Sequence, residues 1–112
     1  MDNDSDVNTA TIKYTDLVLI TMFKSRRKNL TITEKDYLTQ FFEIHNYNEL
    51  IEKDVSFGNF AKRLKMMIGV PLQRCNETLR GFLKLIYENV SYLVNIEIGA
   101  NDSYIKIEIE DS

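Results

Sequence analysis

Two stripes of apolar residues at helical spacing predict two helices joined by a tight turn. The first stripe follows Ser56, which can cap a helix, and it ends at Gly69, which can stop one. Its members are Phe57, Phe60, Ala61, Leu64 and Ile68. The second stripe keeps the helical period over residues 71–89. Its members are Leu72, Cys75, Leu79, Phe82, Leu83, Ile86 and Val90.

Weaker signals earlier in the chain predict two more helices and a short strand. Thr15 can cap a helix over 15–28, whose basic end suits the helix dipole. The β-prone residues 30–32 follow. Thr33, with an aspartate three residues later, forms a weak capping box for a helix over 34–45.

Near residue 90 the apolar period changes from that of a helix to that of a strand. Val94, Ile96 and Ile98 alternate with polar residues, and so do Ile105, Ile107 and Ile109. If Ile98 lies opposite Ile105, Glu97 lies opposite Lys106, so one register suits both faces. We predict a C-terminal antiparallel hairpin with its turn at 99–103.

The chain has 112 residues, the usual size of a single domain. A hydrophobic share of 44% and a charged share of 28% argue against both a disordered chain and a membrane protein. We expect residues 1–13 to be an acidic, disordered segment and residues 14–112 to form one domain. The predicted fold class is α+β, with three to four helices followed by the hairpin.

Three features favour a cytoplasmic location without a membrane segment. The apolar run over 17–23 is far shorter than a membrane span. The acidic N-terminus differs from a signal peptide, which is basic and then apolar. Cys75 is the only cysteine, so no internal disulfide can form.

Basic residues concentrate in two segments, although the net charge is −3. Residues 55–87 carry six basic side chains against Glu77 alone, a local charge of +5. Residues 24–28, KSRRK, add a second basic cluster. Such stretches either meet a polyanion or form a solvated surface.

The order of helix, short strand, two helices, tight turn, helix and hairpin resembles a winged helix-turn-helix DNA-binding domain. The resemblance covers roughly residues 15–110 and is one of pattern. It implies that residues 57–69 form the supporting helix and residues 71–85 a recognition helix in the major groove. The strand at 30–32 then pairs with the hairpin, which forms the wing.

The resemblance also implies roles for nine polar residues. They are Lys62, Arg63, Lys65, Gln73, Arg74, Asn76, Glu77, Arg80 and Lys84. Gln73 and Arg80 share a helical face and are assigned to base edges. Arg74 and the three basic residues before it are assigned to phosphates. Glu77 is either a cytosine acceptor or a sign that this face does not meet DNA.

We therefore expect a homodimer that binds double-stranded DNA sequence-specifically. The nearest analogues are plasmid or phage regulators and replication or transfer-origin accessory factors of AT-rich Gram-positive bacteria. The alternative is a small protein-interaction module that binds a host or replication protein through its acidic hairpin or an aromatic helix.

No catalytic signature points to an enzyme. Phosphate-binding, dinucleotide, zinc-protease and serine-hydrolase strings do not occur. His45 is the only histidine, so neither a Cys/His metal site nor a catalytic triad has its usual set of residues. We expect no catalytic residues, no metal and no cofactor.

Overall fold

The computed structural model describes residues 9–37 and 55–111, which form two helices and four strands. The elements are α1 (Thr9–Ser25), β1 (Asn29–Thr33), α2 (Phe57–Ile68), β2 (Leu79–Tyr87), β3 (Val90–Ile98) and β4 (Tyr104–Asp111). A short 3₁₀ turn, Ala100–Asp102, connects β3 to β4. Neither described helix combines the length and the apolar character that a membrane-crossing helix requires.

All four strands are antiparallel and lie in the order β1-β4-β3-β2. The predicted hairpin register is confirmed, with Ile98 opposite Ile105 and Glu97 opposite Lys106. The short strand is confirmed as well, since Leu30 pairs with β4. β2 extends the hairpin on its other side, at the edge of the sheet.

The core lies between the two helices and one face of the sheet. Alternate residues of β3 and β4 point into it and are buried almost completely. They are Val94, Ile96, Ile98, Ile105, Ile107 and Ile109. An aromatic cluster lies between the helices, where Tyr14 packs edge-on against Tyr37 and Phe60. The opposite face of the sheet, called the open face below, carries mostly polar side chains.

The predicted ends of α2 are confirmed. Ser56 caps the helix, because its hydroxyl accepts a hydrogen bond of 3.0 Å from the Asn59 backbone N–H. Gly69 ends it in the left-handed conformation, with φ at 73°. The end of α2 then lies so close to β2 that a Cβ at Gly81 would come within 2.6 Å of Ile68 Cβ.

The predicted winged-helix-like fold, with three to four helices followed by a hairpin, is wrong. Residues 71–89, predicted as a helix, form a loop and then β2. Their apolar residues fit a helical stripe, but residues 79–87 also alternate between the two faces of a strand. Pairing with β3 decides between the two patterns, because it satisfies the backbone and extends the core.

The first predicted helix exists with different bounds. Thr15 lies inside α1, where its hydroxyl donates a hydrogen bond of 2.8 Å to the carbonyl of Thr11, rather than capping the helix. The capping contact after β1 forms, since the Asp36 N–H lies 3.3 Å from the Thr33 hydroxyl. Most of the helix predicted over 34–45 lies outside the described residues.

Candidate functional site

The nine residues predicted to contact DNA lie in three different places. Lys62, Arg63 and Lys65 belong to α2, and Arg80 and Lys84 lie on the open face of β2. The other four are in the loop between these elements, and they are Gln73, Arg74, Asn76 and Glu77. The predicted recognition helix over 71–85 is therefore wrong, and so is the common face on which Gln73 and Arg80 were placed.

Lys65 is buried inside the fold, although it was assigned to a phosphate. Its side chain is 0% exposed, and its ammonium group lies 2.8 Å from a carboxylate oxygen of Asp102. It also donates hydrogen bonds to the carbonyls of Leu72 and Gln73, at 3.2 and 3.5 Å. This lysine ties α2 to the following loop and to the 3₁₀ turn, so it is not available to DNA.

Three of the predicted residues, Lys62, Gln73 and Arg74, line one cleft beside the buried lysine. The cleft has a volume of about 380 Å³ and is called the loop cleft below. Its lining residues are Gly58, Lys62, Leu72, Gln73, Arg74 and Asp102. Arg74 lies 3.8 Å from the same Asp102 carboxylate that binds Lys65. The loop cleft therefore contains a carboxylate that is already engaged by basic groups of the fold.

Two further residues that were predicted to contact DNA are Arg80 and Arg63. Arg80 forms an ion pair within the chain, and Arg63 is half-buried. Arg80 pairs with Glu97 at 2.7 Å across β2 and β3. The Tyr104 hydroxyl donates a hydrogen bond to the same carboxylate, and together these contacts hold the pKa of Glu97 below its usual range. Arg63 is half-buried, and its Nε has no hydrogen-bond partner among the described residues.

The residues of a second cleft combine three basic side chains with two aromatic rings. It lies between the end of α1 and the sheet, has a volume of about 310 Å³, and is called the α1 cleft below. Its lining residues are Met22, Phe23, Arg26, Arg27, Lys28, Tyr92, Ile109 and Asp111. The three basic residues and Asp111 are exposed.

The backbone at the end of α1 fixes where the basic residues lie. Arg26 is in the left-handed conformation, with φ at 58°. Its N–H bonds to the carbonyl of Phe23 at 3.2 Å, and the Arg27 N–H bonds to the carbonyl of Met22 at 2.9 Å. This pair of bonds is the Schellman ending of a helix. The carbonyl of Lys28 then accepts a 2.8 Å bond from β4, which joins the segment to the sheet.

Three aromatic rings pack together along one side of the α1 cleft. Phe23 is stacked on Tyr87 with 5.2 Å between ring centroids, and its centroid lies 4.8 Å from that of Tyr92. Desolvation and the nearby Glu88 raise the pKa of Tyr87 above its usual range. Phe23 and Tyr92 are half-buried, so part of each ring remains accessible.

Sequence reasoning found only half of the α1 cleft. The basic run over 24–28 was recognised, but Tyr92 lies far away in the chain and on another element. No local pattern could connect the two, because β3 brings its tyrosine to the end of α1 only when the sheet forms. Tyr92 was therefore missed as a partner of Phe23 and the basic run.

Comparisons with protein-family models, with curated proteins and with solved structures found no match to this chain. Within the described ranges, no group of three or more His, Cys, Asp or Glu side chains is arranged to hold a metal ion.

Proposed function

We propose that this protein binds nucleic acid in the α1 cleft and prefers single strands to duplexes. The observation that supports the proposal is that exposed basic side chains and accessible aromatic rings line the same cleft. Its volume of about 310 Å³ lies at the lower end of the range for small-ligand pockets, which suits one nucleotide. The same proposal includes a cytoplasmic location and binding that needs no cofactor.

The two kinds of side chain have complementary roles in such a site. Arg26 and Lys28 supply positive charge for phosphates, and releasing the counterions of the nucleic acid drives binding. Phe23 and Tyr92 supply rings on which a base can stack, and every base has a face that allows this. A site of this kind recognises single strands with little dependence on sequence.

Two observations favour single strands over sequence-specific reading of a duplex. Among the described residues, 71–85 do not form the helix that was expected to enter the major groove. Arg80, assigned to a base edge, is paired with Glu97 instead. The alternative function, a protein-interaction module, stays a prediction.

The experiment is a fluorescence anisotropy titration of a labelled single strand and of the matching duplex. We expect the single strand to bind more tightly, and its affinity to fall between about 50 and 200 mM salt. Arg26→Gln and Lys28→Gln should each weaken binding and reduce the slope of log affinity against log salt by about 0.7. Glutamine removes the charge and keeps most of the side-chain length.

The matched control is Lys13→Gln, which makes the same charge change at an exposed position in the first half of α1. Its affinity and salt slope should equal those of the unaltered protein. The proposal would be refuted if neither oligonucleotide bound at about 50 mM salt, or if the binding did not weaken as the salt concentration rose. Equal losses in Lys13→Gln and Lys28→Gln would show that the α1 cleft is not the site.

A further inference from the structure

One of the two edge strands of the sheet, β2, carries large apolar side chains in exposed positions. β2 spans nine residues, and on its open face Phe82 is 62% exposed and Ile86 is 77% exposed. In the described part of the chain, no strand pairs with the outer edge of β2. A long edge strand is a template for strand pairing, and β2 has neither the proline nor the bulge that often blocks such pairing.

The core is also incomplete at this edge. The inward side chains of β2, such as Leu79, Leu83 and Leu85, pack against the core but remain half-buried. The corresponding residues of β3, such as Val94 and Ile96, are 0–1% exposed. A strand added beside β2 would cover these leucines and extend the same core.

The turn between β2 and β3 shows which backbone groups of β2 point outward. It consists of Glu88 and Asn89, whose φ values of 50° and 68° are those of a two-residue type I′ turn. In such a hairpin the flanking residues, Tyr87 and Val90, form a hydrogen-bonded pair. Such pairs alternate along an antiparallel ladder, so the even-numbered residues of 80–86 direct their N–H and carbonyl groups to the outer edge.

We infer that two copies of this chain pair antiparallel through the outer edges of β2, with the Leu83 residues of the two copies opposite each other. Phe82 then faces Lys84 of the other copy, and Arg80 faces Ile86. These are pairs of even-numbered residues, so the outward N–H and carbonyl groups of one copy lie opposite those of the other and can form hydrogen bonds. All nine positions of the strand are paired, and two four-stranded sheets become one sheet of eight strands.

The charged side chains favour this register over the two registers that are shifted by two residues. A shift of two residues in one direction places Lys84 opposite Lys84, and a shift in the other direction places Arg80 opposite Lys84. Like charges directly opposite destabilise an antiparallel pair. In the inferred register no like charges are opposite, and the Lys84 ammonium can lie over the Phe82 ring of the other copy.

The first test is disulfide formation under mild oxidation in a Cys75→Ser background, which removes the native thiol. Leu83→Cys should cross-link two copies, because opposite Cα atoms at a non-hydrogen-bonded pair are about 4.5 Å apart, within disulfide range. Ile86→Cys is the control. It is more exposed, yet its two copies would be about 20 Å apart in this register. We expect a yield at least about tenfold higher at position 83, since Cα atoms beyond about 7 Å cannot be bridged.

The second test is a charge swap followed by light scattering across a concentration series. The unaltered chain should reach twice the mass of one chain. Phe82→Lys sets like charges opposite each other at positions 82 and 84 and should give a monomer. Adding Lys84→Glu to that variant pairs opposite charges and should restore the dimer. A monomeric unaltered chain, equal cross-linking at positions 83 and 86, or no restoration by the second substitution would each overturn the inference.

Discussion

The α1 cleft and the loop cleft each combine basic side chains with one aspartate, but the two aspartates differ in their surroundings. Asp102, in the loop cleft, is 10% exposed and lies 2.8 Å from the fully buried Lys65. Asp111, in the α1 cleft, is exposed at the end of β4. Its basic neighbours, such as Arg26, are exposed as well.

This difference shows that the number of basic residues in a segment does not indicate whether they are available to a ligand. A buried ion pair has lost its water, so its charges serve each other and hold elements together. Exposed cations beside aromatic rings keep their charge for an outside partner. Residues 55–87 have the larger local charge, yet residues 26–28 line the better candidate site.

The largest effect is expected from Asp102→Asn. The substitution keeps a residue that tolerates the left-handed conformation, since φ at position 102 is 56°. It leaves the buried Lys65 without its counter-charge, which should lower the free energy of unfolding by about 3–5 kcal/mol. Chemical denaturation followed by circular dichroism measures this. Asp111→Asn, the matched change in the other cleft, should stay within about 0.5 kcal/mol.

Adding Lys65→Met to Asp102→Asn tests the cause of that loss. If the unpaired buried charge is responsible, the double variant should be more stable than Asp102→Asn alone. A double variant that is less stable, or a loss below about 1 kcal/mol in Asp102→Asn, would contradict the role given to this ion pair.

A smaller effect is expected from Phe23→Leu, which removes a ring from the α1 cleft and keeps an apolar side chain there. Affinity for a single strand should fall by about 1–3 kcal/mol, the usual worth of one base stacked on an aromatic ring. Phe82→Leu is the control, because Phe82 lies on the open face, in the basic stretch over 55–87. If both variants bind like the unaltered protein, stacking on Phe23 does not contribute.

The parts of the fold that were predicted correctly are those in which several independent signals agree. For α2, the cap at Ser56, the stop at Gly69 and the apolar stripe between them indicate the same helix. For β3 and β4, the inward and outward residues both favour the register that places Ile98 opposite Ile105. Local sequence was sufficient in both cases.

The prediction failed over 71–89 because an edge strand has weak alternation. Phe82 and Ile86 are apolar residues on the exposed face of β2, so the stretch contains enough apolar residues to fit a helix. The signals for a strand that the sequence did contain are Leu83 and Leu85 on either side of Lys84, and Asn89, a residue common in turns. The α1 cleft was missed for another reason, since Tyr92 on β3 joins Phe23 and the basic run only through tertiary packing.

The smallest effect concerns Arg80, another basic residue whose charge is used inside the fold. Its ion pair adds to the hydrogen bond from Tyr104, and the two contacts lower the pKa of Glu97 from its ordinary value of 4.5. A carboxyl group with a depressed pKa stabilises the fold above its unfolded pKa, and this contribution is lost as pH falls through the folded pKa. Arg80→Gln should therefore move the pKa of Glu97 upward, so that the contribution is smaller and its loss is complete at a higher pH.

The pKa of Glu97 should return only part of the way to its ordinary value, because the hydrogen bond from Tyr104 is the larger cause of the shift and remains in place. Carboxyl-detected NMR titration of Glu97 in the two proteins measures the shift. Arg74→Gln is the control, since Arg74 approaches Asp102 rather than Glu97. An unchanged titration of Glu97 in Arg80→Gln would mean that Arg80 does not hold this carboxylate in solution. Arg80 would then be as available to an outside partner as Arg26, and the contrast between the two basic segments would be weaker.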